Sequence, residues 1–348
     1  RSLGLREEIA IMRRLRRESL RLGRQAASSE AGFYQRVLLK ASWEALSGAS
    51  QAVMRLGEQI SALVAKLEPK VIVVTHEGNA WERIAFAAAR RALPGVRCVA
   101  YQHAVLFRLQ HAIQRKLAQA FNPDAILTSG TASKAELERA SGLRGIPVSM
   151  LGSHRTCKRN PENEAGVNQA ATKEHSVSPV CLVLPDGYMS ECRHLFEYSL
   201  ACAKKLPDIR FIWRLHPIVT IDALAKQSPM LMHDLPENIE LSTSTLEEDT
   251  RRSRWVLYRG TTAVVQAVVA GVRPLYLQLP GEMTIDPLYE LGSWRVKLYD
   301  MSGFQRTVYQ DANSPDYPSV SAMEEARRYC ESLFTSMDTS AMEALIPG

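Results

Sequence analysis

Two periods alternate along this chain. Val71–Thr75, 96–101, Ala125–Thr128, 148–151, Val180–Leu184, 210–215, Trp255–Tyr258 and 274–279 are short runs of β-type residues. In the first of them, Val71-Ile72-Val73-Val74-Thr75, the apolar positions do not alternate with polar ones, as in a strand covered on both faces. Residues 80–93, 132–141, 190–205 and 263–270 follow strands and carry helical spacing. Strands alternating with helices predict doubly wound parallel sheets, and the pattern occurs twice.

Residues 1–68 read instead as helices, because Val53, Leu56, Ile60, Leu63 and Leu67 recur at spacings of three and four. Residues 153–179 are polar, rich in Asn, Glu, Thr and Ser, and read as a linker. The expected organisation is a helical segment (1–68), a Rossmann-like acceptor-side domain (69–152), the linker, a Rossmann-like nucleotide-binding domain (180–319) and C-terminal helices (320–348). Those last helices, at 321–333 and 339–345, are placed to pack back across the domain boundary. A chain of 348 residues, 46% of them hydrophobic, is long enough for two cores facing a cleft.

Composition narrows the class. There is no apolar run of about eighteen residues and no secretory start, so a cytoplasmic protein is expected. The start at Arg1, without a methionine, points to a longer parent chain. The six cysteines, Cys98, Cys157, Cys181, Cys192, Cys202 and Cys330, show neither C-x-x-C nor zinc spacing, and reduced structural thiols are expected. Eight arginines against Glu7, Glu8 and Glu18 within residues 1–24 carry most of the formal +6 charge. Such a segment is a solvated or interdomain helix face, or a peripheral contact with an anionic inner membrane. Nucleic acid is not expected, because no aromatic interleaving or RNA-binding motif accompanies the arginines.

Chemistry in open α/β sheets gathers at the carboxyl ends of strands. Those positions are Glu77, Gln102, His103 and Ser129 in the first half, and Asp186, Arg214, His216, Thr261 and Thr262 in the second. After the strand at Trp255–Tyr258 comes Gly260-Thr261-Thr262, where a threonine either caps a buried helix or helps present its amino end to a phosphate. A carboxylate in one half facing a phosphate-type site in the other is what a glycosyl or phosphoryl transferase needs. With no Asp-x-Asp in the strand-end loops, metal-independent transfer is expected, with no cofactor beyond the donor substrate.

The order Arg214-Leu215-His216-Pro217, then Gly260-Thr261-Thr262, resembles the His-Pro and Ser/Thr motifs of bacterial GT-B transferases that use cytidine-nucleotide donors. These include sialyltransferases, Kdo transferases and CDP-glycerol phosphotransferases. Glu77-Gly78 is similar to the sialyltransferase acidic-acidic-Gly motif, with His76 in the first acidic position. The segment EGNAWER from Glu77 to Arg83, with Tyr101-Gln102-His103 downstream, looks more like surface-carbohydrate proteins near the Kdo transferases. The aspartate nucleophile of retaining Kdo transferases has no counterpart, since Asp124 precedes its strand.

The resemblance implies a CMP-sugar donor, Kdo or a related ulosonic acid, and a glycan or glycolipid acceptor. The alternatives are a CDP-alditol phosphotransferase and a non-catalytic GT-B scaffold. In such a site Glu77 takes the acceptor proton, with Gly78 allowing a substrate close to the backbone; His103 is the second catalytic candidate, binding acceptor or sugar carboxylate, or else a structural strand-end residue. Arg214, His216, Pro217, Gly260, Thr261 and Thr262 surround the donor phosphate. Asp186 and Glu191 reach base or ribose, although Asp186-Gly187 is also an ordinary turn signal. Glu82 and Arg83 either support the loop carrying Glu77 or form an exposed pair.

Overall fold

The computed structural model describes residues 3–110, 112–156, 179–313 and 319–343. Most of the expected linker, Cys157 and the last residues of the chain lie outside them. In chain order come α1 (Leu5–Ala27), α2 (Phe33–Glu44), α3 (Gly48–Leu67), β1 (Val71–Thr75), α4 (Ala80–Ala92), β2 (Arg97–Gln102), β3 (Ala125–Thr128), α5 (Thr131–Arg139) and β4 (Val148–Met150). The second half holds β5 (Val180–Leu184), α6 (Met189–Lys205), β6 (Arg210–Trp213), α7 (Ile221–Gln227), β7 (Ile239–Leu241), α8 (Leu246–Arg252), β8 (Trp255–Tyr258), α9 (Val264–Val269), β9 (Arg273–Leu277) and β10 (Val296–Leu298). The chain then runs through α10 (Met301–Asn313), α11 (Val320–Leu333) and α12 (Ser340–Glu343).

All strand pairs are parallel. The first sheet runs β1-β2-β3-β4 in chain order, whereas the second runs β10-β9-β8-β5-β6-β7. The order therefore reverses between β5 and β8. There two neighbouring strands send their connections to opposite sides, and a crevice opens above their carboxyl ends.

The second sheet is covered on both faces. One face packs Leu182, Val256 and Tyr258 against α9 and α11. The other packs Val183, Phe211 and Trp255 against Phe196 of α6 and Phe304 of α10. This two-sided burial explains why β5 and β8 are apolar at every position.

The first sheet is covered less evenly, and one expectation fails here. β1 is an edge strand and is not buried on both faces: Val73 is 48% exposed. On that side, among the described residues, Val99 and Leu127 of the sheet form a small cluster with Leu151, Met337 and Ala341. Nor does α3 turn all its predicted apolar residues inward. Val64 is buried and Ile60 packs on the core, but Leu63 and Leu67 face out.

The C-terminal segment returns to the first sheet. Ser129 Oγ donates to Leu333 O at 3.0 Å, Thr335 N to Ser129 O at 3.0 Å, Ser153 N to Thr335 O at 2.8 Å and Asp338 N to Leu151 O at 2.7 Å. Cys98, Cys181, Cys192, Cys202 and Cys330 are all buried and form no disulfide among the described residues. Burial pushes the Cys98 and Cys192 thiols up to about 11 and that of Cys202 to about 12, so they pack as small apolar side chains rather than as thiolates.

Candidate functional site

A pocket of about 370 Å³ opens at the point where the strand order reverses. It is lined by Leu184 at the end of β5 and Pro185 after it; Arg214, Leu215, His216 and Pro217 follow β6; Thr261, Thr262 and Ala263 follow β8. Arg155 and Phe334 complete the wall from the segments after β4 and α11. Two arginines and a histidine line it, with no carboxylate among the lining residues. Such a wall favours an anion.

Local geometry decides what each group offers. His216 Nδ1 accepts the Ile218 N–H at 3.4 Å, which leaves Nε2 as the donor of a neutral ring. Arg214 Nη1 donates to Asp249 Oδ2 at 2.9 Å, Ser242 Oγ at 3.1 Å and Ser244 O at 2.6 Å, and this fixes its guanidinium at the pocket edge.

The threonines differ from expectation. Neither caps a helix beginning at residue 263: the residue before α9 is Ala263, and it makes no side-chain cap. Thr261 N–H turns back to Arg259 O at 2.7 Å and is unavailable to a ligand, while Thr261 Oγ1 accepts the Ala263 N–H at 3.3 Å. The Thr261 hydroxyl proton is what remains for the pocket.

Asp186, Glu191 and Gly260 lie beside this pocket and do not line it. Gly260 has φ +63°, and a Cβ there would come 2.8 Å from Asp186 Oδ2. The bare backbone lets the β5 and β8 loops touch. Burial pushes the Asp186 carboxyl up, opposed by the Tyr188 N–H that it accepts at 2.8 Å. Glu191 is already occupied. Its carboxylate meets Arg259 Nε at 2.6 Å, and Arg259 Nη2 reaches Glu282 at 2.7 Å. Arg259, only 1% exposed, thus ties α6 and β8 to the loop after β9, a role invisible in the sequence because a lone arginine after a strand carries no motif.

In the first half, His103 Nε2 stands 3.9 Å from Glu77 Oε1, each side chain about one third exposed. The two catalytic candidates are therefore neighbours, although neither is among the residues lining the pocket. The loop that carries His103 continues to Val105, which is buried in the core of the second half beside Leu184 and Tyr258.

The loop carrying Glu77 is held from below. Glu82, 1% exposed, accepts the N–H groups of Glu77, Gly78 and Asn79 at 2.8 to 3.1 Å and contacts His76 Nδ1 at 3.0 Å. Arg83 does not pair with it. Arg83 instead donates to the carbonyls of Ala112 at 3.2 Å and Arg115 at 3.0 Å, and so fastens the loop after β2. Gly78, with φ +90°, lets that loop rather than a substrate approach: a Cβ would lie 2.3 Å from Ala112 C and Ile113 N. Gln102 and Ser129 are fully buried and bind the chain's own backbone. Asp124 accepts Cys98 N–H at 2.7 Å and pairs with Arg90 at 2.7 Å, a structural brace.

No family model matches the chain, and neither does any curated protein. Solved structures do. The glycotransferase of kitacinnamycin matches at TM-score 0.54 and 13% identity, with 90% of each chain covered. UDP-GlcNAc 2-epimerase from Neisseria meningitidis bound to UDP-GlcNAc matches at TM-score 0.51 and 14% identity, covering 86% of this chain and 81% of the other. The S. aureus MnaA-UDP structure matches at TM-score 0.51 and 11% identity, covering 95% and 92%. At such identity the likeness is one of fold, a GT-B-like pair of Rossmann-like units. The named nucleotide in two of these structures is UDP, in contrast to the cytidine nucleotides of the enzymes the motifs resemble.

Proposed function

We propose that the protein is a nucleotide-sugar glycosyltransferase, with a CMP-sugar, Kdo or a related ulosonic acid, as donor and a surface glycan or glycolipid as acceptor. The observation that supports it is the cationic, carboxylate-free pocket at the strand-order reversal. Arg155 and Arg214, the latter held by Asp249, line the position of the donor phosphate, while His216 Nε2 and the Thr261 hydroxyl donate hydrogen bonds to its oxygens. These contacts stabilise the leaving nucleotide as charge develops on it. Glu77 accepts the proton of the attacking hydroxyl, with His103 beside it.

Cytidine rather than uridine rests on the order of the His-Pro and Gly-Thr-Thr motifs, while two fold neighbours are named with UDP. Thermal shift with CMP, CDP, UDP and GDP separates the readings, since a ligand at a hundred times its Kd stabilises by about 2.7 kcal/mol. CMP is expected to give the largest shift, and His216→Ala and Thr261→Ala to reduce it. A larger shift with UDP reassigns the donor; binding unchanged in both variants removes the nucleotide from this pocket.

A further inference from the structure

Outside the pocket, the α1–α2 hairpin has an outer surface that the fold leaves uncovered. α1 buries Ile11, Leu15, Ser19 and Ala26 against the rest of the molecule. Opposite them, Ile9, Arg13, Leu20 and Arg24 follow one another at spacings of four, seven and four, with Arg6 and Arg17 alongside. Leu5 is 77% exposed, Leu20 53% and Ile9 41%. Arginines and apolar side chains share one face.

α2 repeats the arrangement. It turns Leu38 and Ser42 inward, and Ser42 Oγ donates to Ser19 O of α1 at 2.8 Å, locking the two helices together. Its outer arc carries Phe33, Arg36, Val37, Lys40 and Trp43, with Phe33 77% and Trp43 70% exposed. Arg21 is engaged by Glu18 and Lys40 by Glu44, whereas Arg13, Arg16, Arg17 and Arg24 form no ion pair among the described residues.

We infer that this hairpin lies in the plane of an anionic lipid bilayer, with Phe33, Trp43, Leu5 and Leu20 in the headgroup–acyl boundary and the arginines against lipid phosphates. Charge selects this occupant. The α1 arginines give this face a net positive charge, which an anionic lipid surface neutralises while taking the exposed Phe33 and Trp43 at its headgroup boundary. Arginine stems interleaved with Trp, Phe and Leu suit a surface that is apolar below and anionic above. No described helix is long and apolar enough to cross a membrane, so the contact is in-plane. The inference deepens the glycolipid-acceptor part of the proposed function and brings the enzyme to where such an acceptor resides.

The test is co-sedimentation of the full chain with phosphatidylcholine vesicles, with and without phosphatidylglycerol. Binding is expected only with the anionic lipid, and is expected to weaken as salt rises. Changing Arg13, Arg16, Arg17 and Arg24 together to Glu is expected to cost at least about a hundredfold in partitioning. Phe33→Ser with Trp43→Ser is expected to weaken binding several-fold and leave its salt dependence. Equal binding to neutral vesicles, indifference to either set of changes, or concentration-dependent dimerisation abolished by the Phe33/Trp43 pair would overturn the inference. Nucleotide thermal shifts, measured on the same variants, report separately on the donor pocket and on folding.

Discussion

The Glu82 carboxylate receives the Glu77 backbone N–H on both of its oxygens, at 3.1 and 3.0 Å. The loop that carries Glu77 is thereby fastened through its main chain, and this fastening does not use the Glu77 side chain. A change confined to that side chain should disturb the reaction and nothing else.

Glu77→Gln is therefore expected to lower kcat at least about a hundredfold, within the range for loss of a general base, and to leave nucleotide affinity unchanged. Single-turnover kinetics with calorimetric nucleotide binding is the check. Retention of more than about a tenth of the rate would pass the base role to His103, whose Nε2 is 3.9 Å away.

Glu82 makes a different prediction, one of stability against pH. Burial alone would raise its carboxyl, but hydrogen bonds from His76, Asn79 and the Glu77 N–H outweigh it and hold the group below the usual carboxylate range. A depressed folded value means the carboxylate stabilises above the unfolded value of about 4.3, and this contribution is lost as pH falls through the lower folded value. Glu82→Gln should melt well below wild type at pH 7, and the gap should narrow in acid. A gap of the same size at pH 7 and pH 3 would mean that the charge contributes nothing.

Gly78 and Gly95 both have positive φ, +90° and +111°, but only at Gly78 does a Cβ meet backbone. Gly78→Ala is expected to cost about 2 kcal/mol or more in urea unfolding, since Ala112 and Ile113 must move as well as the strained backbone be accepted. Gly95→Ala should cost about 1 kcal/mol. Equal losses would show that the loop packs elsewhere.

Arg259 Nη1 also donates to Leu277 O at 2.8 Å, so its fork reaches three partners in different directions. Arg259→Met strands Glu191, and a loss of about 3 kcal/mol is expected, the low end for a buried pair because Glu282 keeps contact with water. Arg259→Lys should rescue little, since one ammonium cannot span all three. Melting temperatures of the two variants decide it.

Most of the sheet framework was legible because buried parallel strands are written as apolar runs, and β5 and β8 could hardly be anything else. β7 and β10 were not legible. Each is three residues long, lies at a sheet edge and carries Glu240 or Lys297 in its middle. β1 misled in the opposite direction, since its apolar run does not show that it sits at an edge. Within the pocket, His216, Arg214 and Thr261 could be found because strand ends are where ligands meet this kind of sheet. Arg155 could not, because it lies in a polar stretch with no periodicity. The engaged Glu191 could not either, since its partner Arg259 comes close only after folding, and the spent Thr261 N–H depends on a tight local turn back to Arg259 O that residue types alone do not specify.

The return of the C-terminal segment to the first sheet bears on how the protein is made. Ser129 and Leu333, joined by a hydrogen bond, are 204 positions apart. While the ribosome is still translating the second half, β3 and β4 are already outside, but their carboxyl ends have nothing to pair with. Vectorial synthesis thus leaves the polar groups of Ser129, Leu151 and Ser153 at these ends without their partners until the last helices emerge. The face of the second sheet covered by α6 and α10 has all its partners before the last helices emerge, whereas the face that packs on α9 also waits for α11.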